Sequence, residues 1–416
     1  MSKNVSIFSR LITWGEKKTH TDLRYLISGG SWLFFGQVVG VVVALLLAVG
    51  YAHFLSKETY GTYKYVLSII GILSVFTLPG METAAQRGIS QGKEAVFWGG
   101  FKLRVMGGGI ASLACLGIAF YYFTQGNTFL ASIFFVSAPF LVGLEPLAHY
   151  NGLLIGKKLF RQTTQYAILL QALTSLTLIV TVFLTNDLFV LLLTYMITTV
   201  FLRGAFFLRT VRDHPLNSIS DKESLAFGKH LSALGVLATV SSRLDAVLLF
   251  HFLGPVPLAI YSFAKAATDN IQGSFKLITT TLAFPKLAGL DKDILKQTLE
   301  RKVLLAHVVT VPLAVGFIFV IPYAYQLLFP QYLESVIYAQ AMIALLAFSP
   351  LRFISTAITA KATPKILYAL GITGPILNTT FLLIAVPILG IWGIILALAL
   401  QQFIMNCLNF YFFRRM

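Results

Sequence analysis

A stripe of polar and charged side chains runs along one long apolar segment of this chain. In YSFAKAATDNIQGSFK, Tyr261, Lys265, Asp269, Gln272 and Lys276 recur every three or four positions. This spacing places them on one face of an α-helix. A charged side chain facing hydrocarbon costs roughly 2.5–3.5 kcal/mol on insertion scales, so those that persist in membrane helices usually face a cavity or a partner. The stripe therefore predicts a polar passage through a membrane.

Two further apolar segments contribute charges to the same predicted passage. Arg243 and Asp245 stand two positions apart, so their side chains leave a helix in different directions, and Lys64 lies one turn from the end of another segment. Lysine and arginine donate charged hydrogen bonds to phosphate oxygens. The sequence therefore predicts a cationic lining that binds a diphosphate, formed by Arg243, Lys265, Lys276 and Lys64.

The two acidic residues of the predicted passage have more than one interpretation. Asp245 and Asp269 can hold the cations in place, or they can couple transport to a proton or Na⁺. Alternatively, Lys265 and Asp269 neutralise one another at i and i+4, and Lys64 extends its amine to the membrane surface. No catalytic group, metal site or tightly bound cofactor is predicted, because the two cysteines lie in apolar segments without a CxxC spacing.

A second group of charges is predicted at the cytoplasmic mouth of the passage, where it either guides an anionic headgroup or forms a solvated surface. Its members are Glu82, Arg87, Lys102 and Arg104. Nearby, Glu145 and His149 are four residues apart, and this spacing predicts either a gate or, as the favoured interpretation, a buried pair between their side chains.

The elements that carry these residues are membrane-spanning helices. Hydrophobic residues make up 57% of the chain and charged residues 12%, far from the composition of a soluble domain. The apolar segments are continuous, whereas barrel strands alternate with a period of two. We predict an all-α polytopic protein with about 12 transmembrane helices near 26–51, 58–81, 98–122, 128–151, 163–184, 187–209, 226–251, 256–284, 301–321, 332–356, 364–386 and 390–412.

A polar stretch divides these helices into two sets of six. Residues 1–210 are predicted as an N-terminal lobe, in which 1–25 form a cytoplasmic tail or a helix lying on the membrane surface. Residues 211–225 are predicted as a cytoplasmic linker and 226–416 as a C-terminal lobe.

The distribution of basic residues predicts the orientation. Most of the 32 lysines and arginines fall in the tail, the linker and alternate loops, which leaves both termini in the cytoplasm. The net charge of +16 is therefore largely a feature of membrane topology, with anionic headgroups of the bilayer as the partner. No basic, aromatic-rich soluble patch suits nucleic acid.

The two lobes are predicted to be repeats of one another. HFLSKETYGTY at His53–Tyr63 and HFLGPVPLAIY at His251–Tyr261 occupy equivalent places, between the first and second helix of each lobe. Because each lobe has an even number of helices, the repeat is parallel. Two such lobes enclose a central cleft that opens to alternate sides when one lobe rocks against the other.

These stretches resemble a known superfamily. The residues from His53 to Arg87 are similar to the Leu-Gly-x-x-x-Tyr-Gly-x-Tyr turn and second helix of polysaccharide and O-antigen flippases in the multidrug/oligosaccharidyl-lipid/polysaccharide exporter superfamily. Ser242–Ala266 resembles their seventh helix and the start of the eighth, and Phe284–Leu290 resembles the proline-containing end of the eighth. In one departure, the first helix lacks the arginines of lipid-linked peptidoglycan-precursor flippases.

The resemblance implies a monomeric, twelve-helix protein of the bacterial inner membrane. Such proteins move undecaprenyl-diphosphate-linked oligosaccharides to the outer leaflet, and the glycan polymerase machinery is a further expected partner. Two alternatives remain at this level: a small-molecule or multidrug exporter of the same superfamily, and a polytopic glycan polymerase or ligase. The exporter predicts acidic groups in the cleft, and the enzyme predicts catalytic residues on sizeable outward loops.

Overall fold

The regular elements of the computed structural model are all helical over the residues that it describes, which are 23–219, 221–278, 292–361 and 363–415. The first half contains α1 Leu23–Phe54, α2 Lys57–Leu73, α3 Gly80–Ser90, α4 Val96–Thr124, α5 Thr128–Ser137, α6 Leu141–Leu144, α7 Tyr150–Gly156, α8 Phe160–Leu184 and α9 Leu188–Asp213. The second half contains α10 Lys222–Leu253, α11 Pro255–Ile278, α12 Lys292–Leu328, α13 Ser335–Leu345, α14 Arg352–Lys361, α15 Pro364–Leu389 and α16 Ile391–Arg415. Short 3-10 helices cover Ser74–Thr77, Ala138–Phe140, Pro146–His149, Pro330–Tyr332 and Leu346–Leu351. The all-α polytopic prediction is confirmed.

The number of membrane spans approaches the predicted one. Among the described residues, 10 helical segments are long and apolar enough to cross a bilayer, and a bent pair raises the number to 11. Helix α11, which carries the polar stripe, is not among them, although its 24 residues would extend about 36 Å, more than the ~30 Å of a hydrocarbon core. Twelve spans remain a prediction, as do the lobe boundaries, and the predicted tail before residue 23 and the stretch Phe284–Leu290 lie outside the described residues.

The predicted second helix, 58–81, is the clearest departure from the expected boundaries. Its axis bends by 46° before Gly80, and the chain continues as α3 to Ser90. Two adjacent residues explain the break: Leu78 adopts a left-handed backbone with φ of 51°, and Pro79 has no N–H to donate to the helical ladder. The bend turns α3 toward α10 in the second half.

The two halves contact each other through α2 and α3 on one side and α10 and α11 on the other. A Cβ atom built on Gly61 would lie 1.9 Å from the carbonyl oxygen of Pro255, so the close approach of α2 to α11 requires glycine. Farther along, the N–H of Gly80 donates to the Ser232 hydroxyl over 3.0 Å. These contacts join the halves at two places along this interface.

The chain between α9 and α10 lies against the loop between α3 and α4, at the end of the molecule that the basic residues assign to the cytoplasm. We call this the inward end. The N–H of Asn217 donates to the Glu94 carboxylate over 2.9 Å, and the Ala95 N–H donates to the Ile219 carbonyl over 3.1 Å. Desolvation opposes ionisation of Glu94, but hydrogen bonds from Lys157 and Asn217 outweigh it and lower the pKa of this carboxyl. The connection between the halves is therefore anchored by charge at neutral pH.

Candidate functional site

A cavity of about 780 Å³ lies between the two halves. Its wall comes from α1, α2, α8 and α9 of the first half and from α11, α12 and α13 of the second. Most of the wall is aliphatic or aromatic. The polar side chains in it belong to Tyr51, Tyr60, Tyr63, Lys64, Gln171, Thr174, Ser175, Tyr195, Thr199, Arg203 and Tyr325.

Within the described residues, this wall contains two basic side chains, Lys64 and Arg203, and no carboxylate. Lys64 was predicted for the passage, and its amine lies 5.3 Å from the centre of the Tyr60 ring. Arg203 was missed as a site residue and grouped with the cytoplasmic charges. Its signal was available in the sequence, because VFLRGAFFL places the arginine within an apolar segment.

Behind the cavity, a partly buried ion network holds Arg203 in place. Arg203 donates to a carboxylate oxygen of Glu145 over 3.1 Å and to the Leu144 carbonyl. The same Glu145 accepts from Arg104 through its backbone carbonyl over 2.8 Å, and Arg104 also contacts Glu82 at 3.3 Å. The Arg104 side chain is only 1% exposed, so it lies inside the first half and not on a solvated surface.

The remaining predicted residues near the inward end have other partners. Arg87 donates to Glu223 over 3.0 Å and so links α3 to α10, while Lys102 is exposed on α4. The predicted pair of Glu145 with His149 is wrong, because a ring nitrogen of His149 lies 3.1 Å from the Phe97 carbonyl. Packing of α4 against the 3-10 turn at His149 brought that carbonyl closer than the carboxylate.

Several buried hydroxyls around the cavity have no hydrogen-bond partner in the described part of the chain. Those of Thr174 and Thr199 belong to the central wall, and that of Thr164 lines an adjoining space of about 330 Å³. The two spaces share Ala44, Ala167 and Gln171. An unsatisfied buried polar group costs about 1–3 kcal/mol, so such groups point to a polar ligand or water.

A second cavity of about 610 Å³ lies inside the second half, between α10, α11 and α13 to α16. Three predicted residues line it: Asp245, Lys265 and Asp269. The Lys265 amine is 2.5 Å from an oxygen of Asp245, and the Tyr261 hydroxyl donates to the same oxygen. Lys265 therefore forms its ion pair with α10 and not with Asp269 on its own helix.

Helix α11 thus separates two cavities. Ala266 and Ala267 face the central cavity, whereas Lys265 faces the second one. Arg243 lies against α2, since a Cβ atom on Gly71 would be 3.1 Å from its Nε atom. The side chains of two predicted members, Gln272 and Lys276, lie outside the described part of the structure.

Three of the predicted charged groups on α10 and α11 lie within electrostatic range of Lys64 on α2. Lys64 interacts electrostatically with Arg243, Lys265 and Asp269. The described charges of α2, α10 and α11 therefore influence one another, but Lys64 lines the central cavity while Asp245, Lys265 and Asp269 line the second one, so a single passage lined by all of them remains a prediction.

The helices that are long and apolar enough to span a membrane surround a cavity between the two halves of the chain. The chain belongs to the family of polysaccharide biosynthesis proteins, whose model matches residues 26–290. It is similar in fold to the solved structure of "Lipid II flippase MurJ, inward closed conformation", with 15% identity and a TM-score of 0.72 over 92% of this chain and 87% of that one.

Two structures of a multidrug resistance MATE family transporter also match. The inward-facing conformation has 14% identity and a TM-score of 0.65 over 90% of this chain and 94% of that one. The outward-facing conformation has 16% identity and a TM-score of 0.63 over 93% of this chain and 94% of that one. No curated protein matches the chain.

Proposed function

We propose that this protein is a flippase that moves an undecaprenyl-diphosphate-linked oligosaccharide across the bacterial inner membrane by alternating access. The main observation behind this proposal is the wall of the central cavity. Among the described residues, it contains two basic side chains, no carboxylate, and hydroxyl groups without a hydrogen-bond partner. Membership of a polysaccharide biosynthesis family and the likeness to a lipid II flippase support the same substrate class.

The chemistry of the wall suits each part of this substrate. A diphosphate cannot cross a low-dielectric core without compensating charge, and Lys64 and Arg203 supply it from α2 and α9. Thr174, Thr199 and Gln171 offer hydroxyl and amide groups to sugar hydroxyls. The polyprenyl chain stays in the lipid, so the cavity has to admit only the headgroup.

The charges around α11 serve the transport cycle in this proposal. Arg243, Lys265 and Lys276 join the cationic lining when the lobes rock, and the pair of Lys265 with Asp245 is the point at which a proton or Na⁺ couples to movement. The protein acts as a monomer with both termini in the cytoplasm and delivers its substrate to the glycan polymerase machinery.

A multidrug exporter is the second candidate, because MATE transporters share the fold. Export of cationic drugs is favoured by carboxylates in the binding cavity, since these compensate the positive charge of the drug. The described central wall offers Lys64 and Arg203 instead. Its charge therefore supports an anionic substrate.

Reconstitution into vesicles tests the proposal. The purified protein is inserted into liposomes that contain a labelled undecaprenyl-diphosphate oligosaccharide in the inner leaflet, and exposure of the glycan at the outer surface is followed with an impermeant lectin or glycosidase. Protein-free liposomes are the control. We expect glycan exposure only with protein. Movement of cationic dyes without movement of the glycan would establish the exporter instead.

A further inference from the structure

A separate pocket of about 1010 Å³ lies at the inward end of the first half, between α1, α8 and α9. It shares no lining residue with the central cavity. Gln162, Tyr166 and Leu169 of α8 line this pocket, whereas Gln171 and Thr174 face the central cavity. Helical spacing puts these two sets on different faces of α8, and the space of about 330 Å³ that adjoins the central cavity shares one residue, Ile168, with this pocket. We propose that this pocket binds the phosphate headgroup of an anionic membrane lipid.

The electrostatics of the pocket favour an anion. Among the described residues, Lys158, Arg161 and Arg209 line it together with one carboxylate, that of Asp213, which is 3.5 Å from Arg209. The guanidinium of Arg161 lies 5.3 Å from the centre of the Trp32 ring. This cation–π contact orients the group without neutralising its charge. The described lining therefore carries more basic than acidic groups.

The backbone of α8 adds to this potential. The helix begins at Phe160 in the wall of the pocket, so the N–H groups of its first turn lie at this end of α8. Such N–H groups carry the positive end of the helix dipole. The positive end of the α8 dipole and the basic side chains therefore both favour an anion in this pocket.

Polar groups on the wall are held in fixed positions. Gln162 donates to the Tyr166 hydroxyl over 3.0 Å, and a ring nitrogen of His214 lies 3.1 Å from the Gln162 side-chain oxygen. This chain of contacts connects α8 to the end of α9. It gives the pocket a preorganised polar wall on which a headgroup can dock.

The apolar part of the pocket fits a lipid and not a soluble anion. Phe35 on α1 is 54% exposed and Leu169 on α8 is 45% exposed, so both present apolar surface beside the cations. Trp32 supplies the kind of aromatic ring that is enriched at membrane–water interfaces. Basic pockets between helices at the cytoplasmic membrane surface suit anionic headgroups.

Lipid binding by the full-length protein tests this assignment and requires no transport. Native mass spectrometry in detergent measures the affinity for phosphatidylglycerol, for a polyprenyl diphosphate and for neutral phosphatidylcholine. The variant Arg161→Gln/Arg209→Gln removes two charges from the pocket. The control variant Arg212→Gln/Lys229→Gln removes two exposed charges elsewhere at the same end.

We expect the pocket variant to bind phosphatidylglycerol roughly 30-fold more weakly, because each basic residue near an anionic lipid contributes about fivefold. The control should bind as the unaltered protein does, and Arg161→Lys/Arg209→Lys should retain most of the affinity. A loss confined to the polyprenyl diphosphate would assign the same pocket to the substrate headgroup. Equal affinities in pocket and control variants, or equal losses in the Gln and Lys variants, would overturn the proposal.

Discussion

Replacement of Lys64 by glutamine is the sharpest test of the central cavity. Its amine belongs to the cavity wall, stacks over Tyr60 at 5.3 Å and forms no ion pair within the described residues. Its substitution therefore leaves no carboxylate behind without a partner. We expect the free energy of unfolding to change by less than about 1 kcal/mol, as for most substitutions that break no buried pair.

The effect on the substrate should be much larger. A hydrogen bond to a charged group contributes about 1.5–3 kcal/mol, which corresponds to roughly 10- to 150-fold in headgroup affinity. The assay is the initial rate of glycan exposure in vesicles as a function of substrate density, with Lys222→Gln, an exposed charge on α10, as the matched control. We expect the half-saturating density to rise by this factor for Lys64→Gln alone. Equal curves for the two variants would refute the assignment of Lys64 to headgroup binding.

Two further predictions concern packing between helices. Gly61→Ala should lower the free energy of unfolding by about 1–3 kcal/mol, since the added Cβ would lie 1.9 Å from the Pro255 carbonyl oxygen. The control Gly109→Ala should not lower it, because no atom lies within 4 Å of the added Cβ. Equal melting temperatures of the two variants in detergent would contradict this prediction. Asp245→Asn should cost about 2 kcal/mol by leaving Lys265 without a carboxylate, and the double variant with Lys265→Met should recover stability. If melting shows no recovery, the pair does not carry the effect.

Local patterns predicted the helical fold and part of the site. Continuous apolar segments identified the membrane helices, and the spacing of Tyr261, Lys265 and Asp269 predicted a polar helix now seen as α11. Lys64 was predicted for the passage and lies in the central wall. The bend before Gly80 was missed although Pro79 signalled it, because the predicted helix was ended at 81, where the polar residues begin, whereas the chain continues as α3 to Ser90.

The sequence patterns did not predict which side chains form ion pairs with one another. Lys265 has Asp269 one turn away in sequence, yet it pairs with Asp245, and Arg203 reaches the cavity through a network with Glu145 and Arg104. Helical periodicity is a property of neighbouring residues, so it states which side chains share a face. Which faces meet depends on how helices far apart in the chain pack, and that packing created the cavity between the halves.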